Sequence, residues 1–293
     1  MLEITGLTRR FGDVVAVDRV SFAVPGGRLT GFVGGNGAGK TTTMRMIMGV
    51  LGIDAGEVRW AGRPITAADR RSFGYMPEER GLYPKQGVLD QLVYLGRLKG
   101  MSAERARSAV QEHLERFGLA ERATDPVQKL SLGNQQRVQI IAAVMSRPAA
   151  LILDEPFSGL DPSAVDAMID LLREHTRRGA PVLFSSHQLD LVDRLCDGLV
   201  ILNQGRVVAS GSSDELRSGA PVRYRLALGG DSGWLRDIRG IHVVDVDGRL
   251  AHFEVIEPGA EQVVIHEAAR RGAVHEFARL RPTLGEIYRE VAA

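Results

Sequence analysis

The stretch Gly34-Gly35-Asn36-Gly37-Ala38-Gly39-Lys40-Thr41 constrains this chain more than any other. It follows the apolar run Leu29 to Val33 and leads into the helix-like segment Thr42 to Gly49, so it reads as strand, glycine loop and helix. The spacing fits G-x-x-x-x-G-K-[ST]. Glycines at these places let backbone N–H groups turn inward around phosphate oxygens, and the helix that follows presents its positive end to them. On that reading residues 34–39 cradle phosphate, with Thr42 a further contact. Lys40 reaches the β- and γ-phosphates, and Thr41 ligates Mg²⁺. The alternative is a glycine-rich turn with no ligand.

At 293 residues the chain exceeds a typical single domain, so one large domain with a smaller appendix is expected. Hydrophobic content of 44% supports a sizeable core. Net charge is +1 and the arginines are scattered, so no polybasic tail announces nucleic acid or anionic lipid, and the arginines read as solvated helix faces. Cys196 is the single cysteine, which excludes an intrachain disulfide and any multi-cysteine metal site. It reads as a core thiol and fits a reducing compartment. The apolar runs Ile140 to Met145 and Ala149 to Leu153 fall far short of the ~20 residues a spanning helix needs. Met1 to Thr5 does not look like a secretion signal. Work at a membrane would need the span of another chain.

Residues 1 to about 30 read as short antiparallel strands feeding the phosphate-loop strand. Two strand-like pieces follow, Gly56 to Trp60 and Arg71 to Pro77, the second ending in the charged, turn-rich run Glu78 to Pro84. From Val88 the period becomes helical, with Val88, Leu92, Leu95 and Leu98, then Ala106, Val110, Leu114 and Phe117, and with Ser102 as an N-cap. The α/β pattern resumes at Ala149 to Leu153, apolar enough for a strand buried on both faces of a parallel sheet. A helix from Pro162 to Gly179, a strand at Pro181 to Phe184 and a hairpin turning at Asn203 to Gly205 follow. The character shifts again near Gly219. Beyond it an Asp247-Gly248 hairpin, a helix at Val263 to Ala269 and two short elements, Val274 to Leu280 and Leu284 to Val291, make a small α+β unit without a chemical motif.

Asp154 and Glu155 end a buried strand, where open α/β sheets expose their ligand-binding edge. Two carboxylates there are costly for a merely structural strand, although a solvated strand end is the bland alternative. Beside a phosphate loop, Asp154 suits Mg²⁺ and Glu155 suits the base that orients and deprotonates water. His187 ends the next strand and would lie at the same edge, placed to donate to the γ-phosphate. Ser131 and Gly133 open the apolar helix Val138 to Met145 and form a second anion site, which alone is no more than a good cap. One phosphate needs one cradle, so the second suggests nucleotide held between two protomers. Phe11, beside a glycine turn, either stacks on a base or is an ordinary edge phenylalanine.

Together these motifs resemble the ATP-binding cassette (ABC) ATPases, the nucleotide-binding subunits of ABC transporters. The likeness covers residues 1 to about 216. It rests, in family order, on a base-stacking loop at Phe11, the phosphate loop, a loop at Glu78 where the family normally has Gln, and the signature Leu130-Ser131-Leu132-Gly133-Asn134-Gln135. The Asp154-Glu155 strand, Ser158-Gly159-Leu160-Asp161-Pro162 and the switch His187 complete it. The resemblance implies an α/β P-loop NTPase fold in 1–216, with a mixed sheet core, an antiparallel β subdomain and a helical insert at about 88–145. A small C-terminal α+β domain, 217–293, follows. It implies ATP and Mg²⁺ as ligands: Phe11 at the base, Ser131, Gly133, Asn134 and Asp161 as nucleotide contacts, Thr41, Glu78 and Asp154 around the metal, Glu155 and His187 as catalytic groups. It also implies a head-to-tail dimer, as a homodimer or a paired cassette, that closes on two ATP molecules and reopens on hydrolysis. A separate transmembrane permease subunit would hold it at the cytoplasmic face of the membrane, without direct nucleic-acid contact.

Leu132 and Asn134 depart from the family's Gly and Gln, and Glu78 adds charge where Gln normally links metal, water and membrane subunit. Tyr75 to Pro84, with Gly133 to Gln136, resembles the prokaryotic export branch that includes sodium-extrusion and drug-resistance ATPases. A soluble ABC ATPase acting on nucleic acid or ribosomes is the alternative. Those usually show paired cassettes or a long coiled-coil insertion, and neither is visible here. A P-loop small-molecule kinase leaves the signature unexplained.

Overall fold

The computed structural model describes every residue except Arg80, Gly219, Ala220, Pro282 and Ala293. Arg80 of the Tyr75 to Pro84 run, and Gly219, where the sequence changes character, thus lie outside the described residues. The chain divides into two compact units, one essentially Met1–Ser213 and the other Asp214–Glu290.

In the first unit, β1 (Leu2–Phe11) and β2 (Val14–Val24) form an antiparallel hairpin. They are longer than the short runs expected, because register shifts between Ile4 and Leu7 and again near Arg9 interrupt the alternation that marks a strand in sequence. Next, β3 (Leu29–Gly34), buried at all positions, runs into α1 (Lys40–Ile47). Strands β4 (Ala55–Trp60) and β5 (Arg63–Pro64) join the hairpin as a sheet of order β2-β1-β4-β5.

Helix α2 (Ala67–Ser72) corrects the expectation of a strand from Arg71. Thr66 and Asp69 build a capping box, and Asp69 also takes Arg63 at 2.7 and 2.8 Å. The Arg63 guanidinium, then Thr66, hold the Asp69 carboxyl well below the usual range. Those local bonds favour helix up to Ser72, so β6 (Gly74–Met76) begins only at Gly74.

The helical insert comprises α3 (Val88–Leu98), α4 (Ala103–Arg116) and α5 (Leu132–Val144), packed on one another. Ser102 and Ser131 cap the latter two through the amides of Arg105 and Asn134. After it come β7 (Leu151–Leu153), α6 (Pro162–Arg177) with Pro162 in its first turn, β8 (Val182–Ser186) and α7 (Leu189–Leu195). The hairpin β9 (Gly198–Asn203) and β10 (Arg206–Ser212) ends the unit. Asn203 pairs with Arg206, so its turn is Gln204-Gly205, both at positive φ as a type I′ turn requires.

The main sheet has the order β10-β9-β3-β8-β7-β6, parallel except for β10. Strands buried on both faces read as continuous apolar runs, which is why β3, β7 and β8 stand out in the sequence. Leu2, Val20, Phe22, Phe32, Met44 and Ile47 fill one core between the two sheets, Phe22 and Phe32 lying 5.1 Å apart. Each such side chain contributes about 1.5–3 kcal/mol by transfer from water, an upper bound for a compact unfolded chain.

The second unit opens with α8 (Ser213–Ser218), whose first residue closes the first unit. Strands β11 (Val222–Leu228), β12 (Ile241–Asp247), β13 (Leu250–Val255) and β14 (Val274–Leu280) form an antiparallel sheet of order β12-β13-β11-β14. Asp247 pairs with Leu250, so the turn is Gly248-Arg249 and Asp247 still belongs to its strand, one residue off the expected Asp-Gly turn. Between β13 and β14 lies α9 (Ala260–Arg271), and α10 (Leu284–Ala292) comes last. Tyr224 stacks on Phe253 and Phe277 at 5.5 and 5.1 Å above a core of Leu226, Leu235, Val264 and Ala268.

Candidate functional site

Because β3, β6, β7 and β8 are parallel, the segments leaving their carboxyl ends meet at one edge: the glycine loop, Pro77 to Glu79, Asp154-Glu155 and His187. A cavity of about 270 Å³ opens there, lined by Ala16, Asn36 to Thr42, Glu78, Asp154 and Glu155. Gly34 and Gly35 open the loop outside that lining, and their carbonyls accept from Lys40 Nζ at 2.7 and 3.2 Å. Lys40 is buried, so its ammonium is held in the loop rather than in water. Gly34 and Gly39 are obligatory: a Cβ would lie 2.6 Å from the Leu202 carbonyl oxygen in the first case and 2.7 Å from that of Ala16 in the second. Gly39 also has φ 101°. The Gln204-Gly205 turn braces the loop from behind, the Gly205 amide donating to Ala38 and the Asp18 amide to Gly205.

The acid pair is fixed by neighbours. Leu153 pairs with Phe184, so Asp154 falls beside Ser185. The Ser185 hydroxyl donates to Asp154 Oδ1 at 2.6 Å and accepts from the Glu155 amide at 2.7 Å. Asp154 is 1% exposed and its Oδ2 is buried without a hydrogen-bond partner. Burial and then the Asp154 charge push the nearby Tyr75 phenol up. Glu155 has φ 49°, a strained backbone for a side-chain-bearing residue, and its carbonyl accepts from Gln136 Nε2 at 2.9 Å. His187 Nδ1 lies 2.9 Å from Glu155 Oε2, so the ring meets the carboxylate at the expected edge.

Thr41 Oγ1 donates to Glu78 Oε2 at 3.3 Å on the rim of the same cavity. One hydroxyl, one orphaned buried carboxylate oxygen and a second carboxylate fit a hard divalent cation that keeps its waters and substrate phosphates as further ligands. Among the described residues no cluster of three His, Cys, Asp or Glu offers a closed metal cage.

The remaining candidates do not line this cavity. Phe11 is 49% exposed at the end of β1, with the Arg9 guanidinium 5.1 Å from its ring centre. Ser131, Gly133 and Asn134 open α5, and a Cβ on Gly133 would lie 2.7 Å from the Gly159 carbonyl oxygen. Asp161 caps α6 through the Ala164 amide at 2.9 Å and pairs with Arg137. The Ser163 hydroxyl, that amide and then Arg137 lower its carboxyl. Sequence reasoning passed over Ser185, Gln136 and Arg137. Their contacts span 19 to 31 positions, and only the Asp154-to-Ser185 strand pairing carried a signal for any of them.

A parallel sheet with a glycine loop on one strand and an acid pair on another defines a phosphate-loop nucleoside triphosphatase. Residues 17–158 match the ABC transporter family, and residues 211–292 match the C-terminal domain of DrrA1-3-like ATP-binding proteins. The chain is similar to the uncharacterized ABC transporter ATP-binding protein YhaQ of Bacillus subtilis (strain 168), 39% identical over 99% of this chain and 98% of that protein. It is also similar to the daunorubicin resistance ATP-binding protein DrrA3 of Streptomyces coeruleorubidus, 32% identical over 98% and 94% of the two chains. A solved ATP-binding subunit of an ABC transporter matches with TM-score 0.70 and 33% identity, covering 75% of this chain and 95% of that one. The chain belongs to the family of ABC transporter ATP-binding proteins, and it is an ATPase. Nothing in these relatives supports the nucleic-acid alternative.

Proposed function

We propose that the chain hydrolyses ATP at the Lys40–Asp154–Glu155 edge to drive export through a separate membrane subunit. The observation that carries the site assignment is the convergence of Lys40, Thr41, Glu78, Asp154 and Glu155 on one cavity, with Asp154 Oδ2 buried and unpartnered. The loop amides and Lys40 bind the β- and γ-phosphates, while Thr41, Asp154 and Glu78 hold Mg²⁺. When bound, the metal neutralises charge on the phosphate oxygens. Glu155 takes the proton of the attacking water, and His187 orients that carboxylate and donates to the γ-phosphate when nucleotide is in place.

The signature, with Ser131 exposed and Gly133 and Asn134 half-buried, completes the site of a second cassette, identical or paired. Phe11 stacks on the base, and Asp161 stands at the same interface. Among the described residues no helix is long and apolar enough to cross a membrane. The export reading therefore assigns the path to a permease and places this chain at the cytoplasmic face, docked near Glu78 to Pro84. The resistance protein DrrA3 among its relatives supports a drug-like cargo.

Glu155→Gln tests the base. Turnover should fall ~10²–10⁴-fold while ATP-dependent dimers accumulate; unchanged steady-state hydrolysis would sink the assignment.

A further inference from the structure

We infer that Ser185 is a positioning residue for ATP hydrolysis, a hydroxyl clamp that sets the metal-binding aspartate and the base as one unit. The inference rests on the roles proposed for Asp154 and Glu155. Ser185 lies in β8, 0% exposed, where its neighbours Leu183 and Phe184 are apolar. A hydroxyl there is worth keeping only if both of its bonds are made, because an unpaired buried polar group costs about 1–3 kcal/mol. Both are made, and both go to the acid pair: Oγ–H to Asp154 Oδ1 at 2.6 Å, and the Glu155 N–H to Oγ at 2.7 Å.

Two consequences follow from the geometry. Asp154 has its Oδ1 engaged, so Oδ2 is the oxygen left for the cation, and the carboxylate cannot rotate without breaking the Ser185 bond. Glu155 holds a left-handed backbone that a non-glycine residue keeps only where its surroundings impose it. Ser185 fixes the amide side of that residue and Gln136 the carbonyl side, at 2.9 Å. The side chain is thereby aimed from the main chain, and His187 meets it at Oε2. Removing the Ser185 hydroxyl leaves Asp154 Oδ1 and the Glu155 amide unpaired at the reacting edge.

The test uses the full-length chain, with Ser185→Ala and the hydroxyl-retaining Ser185→Thr compared against wild type. At saturating Mg²⁺, Ser185→Ala should lower kcat about 10- to 100-fold, as expected for a lost buried hydrogen bond, while KM for ATP changes less than about threefold. The Mg²⁺ concentration giving half-maximal binding of a fluorescent ATP analogue should rise several-fold, with binding in EDTA unchanged. Ser185→Thr should recover most of both losses. Combined with Glu155→Gln at saturating Mg²⁺, Ser185→Ala should add little further loss, because it acts through that residue. Wild-type kcat and Mg²⁺ requirement in Ser185→Ala overturn the inference, as does a fully multiplicative loss in the double variant or a fall in activity that only tracks a lowered melting temperature. If Glu155→Gln alone keeps wild-type turnover, the base assignment is what fails.

Discussion

The two segments proposed to bind anions, the phosphate loop and the signature, are built on opposite plans. At the phosphate loop, Lys40 and Asp154 are buried, glycine carbonyls hold the ammonium, and Ser185 and Gln136 lock the acid pair. At the signature, Ser131 and Leu132 are exposed, and the order comes from behind, through Gly133 packed on Gly159 and Arg137 paired with Asp161. The segment around the buried lysine encloses its charges, whereas the segment proposed to complete a second cassette's site keeps its face open and is braced from behind. On the proposed two-cassette reading, the signature is the surface offered outward and the phosphate loop is the half-site it completes.

The largest effect should come from breaking the enclosed half. Lys40→Ala removes the ammonium proposed to bind phosphate, whose charge-assisted bonds would each contribute about 1.5–3 kcal/mol, and should weaken ATP binding at least ~100-fold by equilibrium titration. Next, Ser131→Arg should leave the ATP affinity of dilute chain within about twofold yet reduce turnover at least ~10-fold, because the damage lies on the partner's nucleotide. Equal losses of binding and turnover would collapse the distinction between the halves.

A pH effect on stability, rather than on the nucleotide, separates scaffold from site. His175, 3% exposed near the end of α6, is pushed down to about 4, by burial first and then by Arg178 and His113, with Glu174 opposing. It is neutral when folded and would protonate near 6.5 when unfolded, so stability should be full above that value. The contribution should be lost as pH falls from about 6.5 to 4, up to roughly 3 kcal/mol at 1.36 per unit. Denaturant melts across that range should show the slope, and His175→Gln should flatten it. Smallest, Phe11→Ala should cost about 0.5–1.5 kcal/mol of nucleotide affinity if the ring stacks on the base. An equal change for a triphosphate without a base would argue against stacking.

The parts legible in the sequence share one property: their cause is local. The glycine loop, the apolar runs of β3 and β7, the caps Ser102 and Ser131, and Pro162 in the first turn of α6 are all specified within a few residues. The errors came where local signals competed or distance mattered. Arg71 to Phe73 carries a plausible strand pattern, yet the Thr66–Asp69 box sits just before it and wins. Bulges in β1 hid its length. Ser185 looks like any small strand-end residue until β7 and β8 pair and put it beside Asp154.

The Gln204-Gly205 turn lies some 165 positions beyond the phosphate loop, yet it touches that loop from the rear through Ala38. An engineer seeking a harmless place for an epitope tag would choose such a two-residue hairpin bend. Here added residues would unseat a buttress, and the fault would surface as poor nucleotide retention in a protein whose ATP-contacting residues were all intact.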